Sequence, residues 1–92
     1  MLKGKHCVYV VRCADGTLYT GYARDIDRRI ALHNAGRGAK YTAGRRPVCL
    51  VYQESFRTRG KALSREIGLK KFTRTEKEAL IAGVPRTPSA PR

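Results

Sequence analysis

Apolar and polar positions follow two periods along this chain. Between His6 and Cys13 the run HCVYVVRC is almost continuous in strand-forming residues. It places Val8, Val10 and Arg12 on one face of a first strand and Cys7, Tyr9 and Val11 on the other. Asp15-Gly16 is a hairpin turn signal, and Thr17–Tyr22 follows it as a second strand. Tyr9 and Tyr19 therefore lie on adjacent strands, and phenols facing the same way would flank one spot on the sheet. The period then becomes helical. Asp25 reads as an N-cap, Asp27 adds charge to the first turn, and Ile26, Ile30 and His33 form the inward stripe. Asn34-Ala35-Gly36 is the stop. Val48–Glu54 (VCLVYQE) reads as a third, central strand. Ser55 or Thr58 caps a second helix running to about Lys71, with Ala62, Leu69 and Phe72 inward. Thr75 and Glu78 fit a capping box opening a short last helix that Gly83 closes.

The order β-β-α-β-α-α predicts an α+β fold, a small three-stranded and mostly antiparallel sheet with helices packed on it. Residues 1–83 are expected to form one domain. Residues 84–92 carry three of the four prolines and are expected to be a disordered basic tail.

Two charges break the pattern of apolar inward faces. Arg29 falls three residues after Ile26, inside the first helix's stripe. Glu66 falls four after Ala62 and three before Leu69. Arg24 and Arg28 point away and can reach water. A guanidinium aimed at a sheet is costly without an anionic partner. That partner is either Glu66, as an internal ion pair, or a ligand such as a phosphate. On the second reading Tyr9, Tyr19 and Arg29 converge on one anion and Glu66 is left to hold a hard divalent cation, which prefers oxygen ligands. With no second inward acid, a two-metal site is not expected.

Charge strengthens the phosphate reading. The 92 residues include 20 Lys and Arg against 7 Asp and Glu, a net charge of +13. A domain this basic is biased towards polyanions, with nucleic acid ahead of a membrane surface because no long basic amphipathic helix is visible. No apolar run is long enough to span a bilayer, and MLKGKH lacks a signal-peptide core, so a cytoplasmic protein is expected. Cys7, Cys13 and Cys49 have neither the spacing of a disulfide framework nor that of a zinc site, and reduced cysteines are expected. Gly36–Pro47 (GRGAKYTAGRRP) holds Arg37, Lys40, Arg45 and Arg46 and no acid. As a twelve-residue loop in a small domain it is expected to contact a phosphate backbone; a solvated surface loop is the plain alternative.

These residues, taken in order, carry a resemblance. Cys7-Val8-Tyr9 and Tyr19-Thr20-Gly21 are similar to the two signature tripeptides of the GIY-YIG endonuclease superfamily, Arg29 to its helix arginine, and Glu66 to its metal-binding glutamate. The segment GRGAKYTAGRRPVCLVY resembles small stand-alone bacterial members and Slx-type nucleases, and the hairpin and first helix resemble the incision domain of UvrC. The resemblance spans residues 6 to about 82. It implies a metal-dependent DNA endonuclease, with branched or nicked DNA as substrate and a protein partner as a possible source of specificity. It implies that Tyr9 is the general base or orients the water, that Tyr19 hydrogen-bonds the water or the scissile phosphate, that Arg29 stabilises phosphorane-like charge, and that Glu66 binds Mg2+ or Mn2+. It implies that Gly21 lets the second strand pass close to the site and that His33 takes the place of a histidine found in many members. Three positions depart from the family pattern. Cys7 replaces the leading glycine, Tyr22 stands where UvrC-like members have lysine, and no asparagine follows the glutamate helix, where Thr73 and Glu76 are the nearest substitutes. A non-catalytic nucleic-acid-binding module with the same fold is the alternative.

Overall fold

The most apolar run of the chain becomes the middle of the sheet. In the computed structural model, which describes residues 5–83, β1 (His6–Arg12) lies between β2 (Leu18–Ala23) and β3 (Cys49–Phe56), antiparallel to both. Every residue from Cys7 to Val11 is buried, so both faces of β1 are covered. The third strand is thus an edge rather than the centre. Its exposure alternates only from Tyr52 to Phe56, and its pairing with β1 slips between Val10 and Val11, where Val51 bulges out of register.

The helices divide between the two faces. On one, α1 (Ile26–Asn34) covers Cys7, Tyr9, Val11 and Cys13, with Ala23, Ile26 and Val48 completing that core. On the other, α3 (Arg59–Lys70) and α4 (Arg74–Ile81) meet Val8 through Ala62, Leu69, Phe72 and Leu80. The Asp25 carboxylate caps α1 by accepting from the Arg28 amide, as its sequence position predicts. Thr58, not Ser55, caps α3; Ser55 belongs to β3. The capping box of α4 is formed by Thr73 and Glu76 rather than by Thr75 and Glu78. Glu78 is drawn away by Arg12 of β1, whose guanidinium donates two hydrogen bonds to it at 2.9 and 2.7 Å.

The segment read as a loop from Gly36 to Pro47 contains one helical turn, α2 (Lys40–Ala43). Asn34 pins the chain that follows, accepting from the Val48 amide at 2.7 Å and donating to the Val48 carbonyl at 3.1 Å. All three cysteines are free, Cys7 and Cys13 buried and Cys49 exposed. No helix among the described residues is long and apolar enough to cross a membrane. The tail expected over residues 84–92 lies outside the described residues.

Candidate active site

Tyr9 and Tyr19 share a face because both occupy odd positions of the hairpin; Tyr9 pairs with Gly21 and Tyr19 with Val11. The Tyr9 ring crosses over Gly21. A Cβ at Gly21 would lie 2.5 Å from the Tyr9 phenol oxygen, so only glycine lets the phenol reach the edge of β2. The edges of both tyrosine rings meet the His33 imidazole, with centroid separations of 5.8 and 5.4 Å.

His33 is fully buried and both of its nitrogens are bonded. Nε2 lies 2.7 Å from the Tyr9 hydroxyl, and Nδ1 lies 2.7 Å from the Thr42 hydroxyl. Thr42 donates its one proton to the Ala39 carbonyl at 3.1 Å, so its oxygen accepts from His33 Nδ1–H. That network assigns the bare nitrogen to Nε2, which accepts the Tyr9 O–H. Burial and the nearby Arg29 charge push the imidazole below its ordinary pKa, so it is neutral at pH 7. Burial pushes the Tyr9 phenol up, against the opposing hydrogen bond and charge of Arg29. A neutral phenol beside a neutral imidazole is therefore the resting state.

Arg29 has no carboxylate partner among the described residues. Nε donates to the Tyr9 oxygen at 3.4 Å and one terminal nitrogen, Nη2, donates to the Gly38 carbonyl at 3.2 Å. The other terminal nitrogen makes no hydrogen bond with the described residues. Of the two partners open to it in the sequence, Glu66 is excluded, because Glu66 pairs with Lys70 one helical turn away, at 3.2 Å. The Glu66 side chain is still mostly buried, at 16% exposure, and its charge is felt at the Tyr9 phenol together with those of Arg29 and Tyr19. Tyr9, Tyr19, Arg29, His33 and Glu66 thus gather around the edge of β2, four from the α1 face and one from α3.

The basic residues of the 36–47 segment divide. Arg45 donates to the Asp15 carboxylate at 3.0 Å and to the Tyr41 carbonyl at 2.7 Å, and its guanidinium lies 4.1 Å above the Tyr41 ring. Arg46 donates to the Ala43 and Asn34 carbonyls. The side chains of Arg37 and Lys40 are exposed and make no hydrogen bond or ion pair with the described residues.

Three residues of this site are missing from the sequence reading. Thr42 is one; a buried histidine needs a partner on its second nitrogen, which was the available signal. Gly38 is the second: a Cβ there would meet His33 Nδ1 at 2.3 Å, so its glycine permits the close approach of the backbone to the imidazole. Lys70, the counter-ion of Glu66, is the third. Thr73 and Glu76, the substitutes for the family asparagine, cap each other.

A hard divalent ion fits the donors present. Glu66 offers carboxylate oxygens but stands alone: the described residues contain no group of three His, Cys, Asp or Glu side chains that could hold a metal ion by themselves. One carboxylate suits an ion that keeps most of its waters. Lys70, half exposed and holding Glu66 by a simple ion pair, can give way to it.

Comparison with known proteins gives the family and the fold. The sequence model of the GIY-YIG catalytic domain matches residues 5–79. A UPF0213 protein of Staphylococcus saprophyticus is 59% identical over 78 residues, covering 85% of this chain and 95% of that one. A UPF0213 protein of Staphylococcus aureus is 57% identical over 76 residues, covering 83% and 93%. Two solution NMR structures share the fold. A UPF0213 protein of Bacillus halodurans has a TM-score of 0.55 at 45% identity, covering 84% of this chain and 82% of that one. A protein of E. faecalis has a TM-score of 0.59 at 43% identity, covering 89% and 90%.

Proposed function

The chain belongs to the GIY-YIG family, a nuclease-type family, and from that premise we propose that it is a metal-dependent DNA endonuclease acting on branched or nicked DNA. The observation that carries this reading is Arg29. It is a half-buried guanidinium without a carboxylate, held beside a buried phenol, with one terminal nitrogen uncommitted. Such a group is stabilised by an arriving anion. A phosphodiester supplies one and gains negative charge as it reacts.

The residues divide the work as follows. Arg29 takes a non-bridging phosphate oxygen. Its bond to Tyr9 is long, at 3.4 Å, so a phosphate that draws the guanidinium outward uncovers the otherwise fully buried phenol. Tyr9 then removes a proton from the attacking water while passing its own to His33 Nε2, and Thr42 fixes the tautomer that can accept it. The water oxygen bonds to phosphorus, the opposite ester bond breaks, and the leaving oxygen takes a proton from solvent. Tyr19, half-buried in the same wall, orients the water. Glu66 would hold Mg2+ or Mn2+, which when bound neutralises charge on the phosphate and leaving oxygen.

The test is a gel assay on labelled duplex, single-strand, flap and four-way-junction DNA with magnesium, manganese or EDTA, beside Glu66→Ala. Metal-dependent cuts that the variant loses while still binding DNA are expected. Binding by the wild-type protein without cuts on any substrate would instead identify a non-catalytic module.

A further inference from the structure

A second feature adjoins the site. A cleft of about 230 Å³ lies between α2 and α4, lined by Thr17, Leu18, Tyr41, Phe72, Arg74 and Lys77. We propose that this cleft holds one unpaired nucleotide of the DNA, beside the phosphodiester to be cut. The proposal rests on the reading of the chain as a DNA endonuclease and adds the structural feature of the substrate that it recognises.

Continuity with the site comes from both sides. Tyr41 stacks on Tyr19 at 5.8 Å with 23° between the rings, and Tyr19 touches His33. Across the cleft, Lys77 lies close enough to Lys70 to feel its charge, and Lys70 pairs with Glu66. The cleft therefore adjoins the site through the Tyr41–Tyr19 stack.

Its lining matches a nucleotide in two respects. Two aromatic rings and Leu18 offer surface to a flat base, and every base has a face that stacks regardless of sequence. The charged lining residues are both cations. Arg74 is oriented by the Gly16 carbonyl at 2.9 Å and by Glu78 at 3.5 Å. The Lys77 ammonium makes no hydrogen bond or ion pair with the described residues, and burial together with Lys70 pushes it below the ordinary pKa. A nearby phosphate would oppose both by favouring the charged ammonium.

Size and exposure limit the occupant. The cleft is smaller than the roughly 300–1,000 Å³ of pockets for drug-sized ligands, so it takes one ring system. A base inside a duplex has both faces stacked and cannot enter without leaving the helix. Tyr41, although 39% exposed, is held in place by its offset stack on Tyr19 and by the Arg45 guanidinium 4.1 Å from its ring centroid, so the wall is formed before the ligand arrives.

The experiment is fluorescence anisotropy in EDTA, where nothing is cut, with a labelled flap, a labelled single strand, and an internally labelled blunt-ended duplex in which every base is paired. The wild-type protein should prefer the first two. Tyr41→Ala should lose about tenfold on those two, within the range of one base stack, and change little on the paired duplex. Tyr41→Phe should behave as wild type. Lys77→Gln should lower the salt slope by about one unit on the flap and the single strand and leave it unchanged on the duplex. Circular dichroism melts identify any variant that fails to fold, and in that case the Tyr41→Phe and Lys77→Gln results decide. Equal losses on all three DNAs, or no initial preference, would overturn the subsite. Because the assay reads binding only, a protein that discriminates through Tyr41 yet never cuts would keep the subsite and lose the nuclease reading. Cutting without such discrimination would do the reverse.

Discussion

Two sets of tyrosine, arginine and glutamate sit on this one small sheet, and they are wired in opposite ways. In the first, Arg65 forks onto Glu54 with bonds of 3.0 and 2.9 Å, and the Tyr52 hydroxyl donates to the same carboxylate. Burial alone would push Glu54 up, yet the Arg65 fork and the Tyr52 hydroxyl hold its carboxyl below the ordinary value. Every charge there has its complement. In the second, Arg29 leans on a phenol and a carbonyl while Glu66 is turned to Lys70, so the arginine and the glutamate never meet. The residue types are the same. What marks the second set is that its charges remain available to something outside the chain.

The largest test of that contrast exchanges the two arginines. Arg29→Ala should lower cleavage at least about 100-fold, the effect of removing a preorganised charge from a transition state. Its melting point should change little, since it gives up only two weak donors. Arg65→Ala should do the opposite. It leaves a partly buried carboxylate without its fork and should cost about 1–3 kcal/mol of stability, with cleavage nearly intact. Denaturant titration and the gel assay on the same preparations read both effects. Loss of cleavage in both variants to the same degree would erase the distinction.

A smaller effect separates geometry from charge. Gly21→Ala puts a methyl 2.5 Å from the Tyr9 oxygen. The phenol must move, and cleavage should fall on the order of 10- to 100-fold, as displacements near 1 Å do. Gly38→Ala meets the His33 ring at 2.3 Å and the His33 backbone at 2.8 Å, so no rotamer relieves it, and about 1–3 kcal/mol of stability should go as well. Gly68→Ala, in α3 with nothing within 4 Å, is the control. It should raise stability by about 0.5–1 kcal/mol, and a loss there would show that small methyl additions are harmful anywhere in the fold.

His33 gives a pH test of the same wiring. Its folded pKa lies below its unfolded value, so the unfolded chain binds the extra proton first as pH falls. The stability it contributes is complete above the unfolded value, about 6.5, and is lost as pH drops below that towards the folded value. His6 shifts in the same direction, so the informative quantity is the difference between wild type and His33→Gln. Wild type should lose stability more steeply below pH 6.5, by at most about 1.4 kcal/mol per pH unit. Parallel curves would mean that His33 titrates in the folded protein as it does in the unfolded chain.

Much of this arrangement was legible in the sequence because it depends on regular periods. The spacing of Ile26, Ile30 and His33 places Arg29 inward, the spacing of Ala62 and Leu69 does the same for Glu66, and strand alternation puts Tyr9 and Tyr19 on one face. Features without a period escaped. Helix α2 is only four residues long, too short to show an apolar stripe, and with it went Thr42. The capping box failed for another reason. Thr73–Glu76 and Thr75–Glu78 both fit the pattern, and the choice is made by Arg12, 66 residues from Glu78 in sequence. The third strand looked central because it is apolar, yet the longer buried run of β1 takes that place. The Glu54–Arg65 pair was also not seen. An ion pair between two elements depends on how they dock, and the two inward charges that were visible turned out to be unpaired with each other.

The smallest effect applies the same contrast of committed and uncommitted charge to the 36–47 segment. Its four cations look equivalent as sequence. In the fold, Arg45 is tied to Asp15 and the Tyr41 carbonyl, and Arg46 to two carbonyls, whereas Arg37 and Lys40 stand exposed. A cation that already neutralises a carboxylate releases few counterions when DNA arrives. Arg37→Ala and Lys40→Ala should therefore each lower the slope of log affinity against log salt by roughly one unit. Arg45→Ala and Arg46→Ala should lower it by less, with Arg45→Ala acting chiefly by freeing Tyr41. Four equal slopes would show that the ties to Asp15 and the carbonyls break on binding, and that all four cations are held in reserve for phosphate.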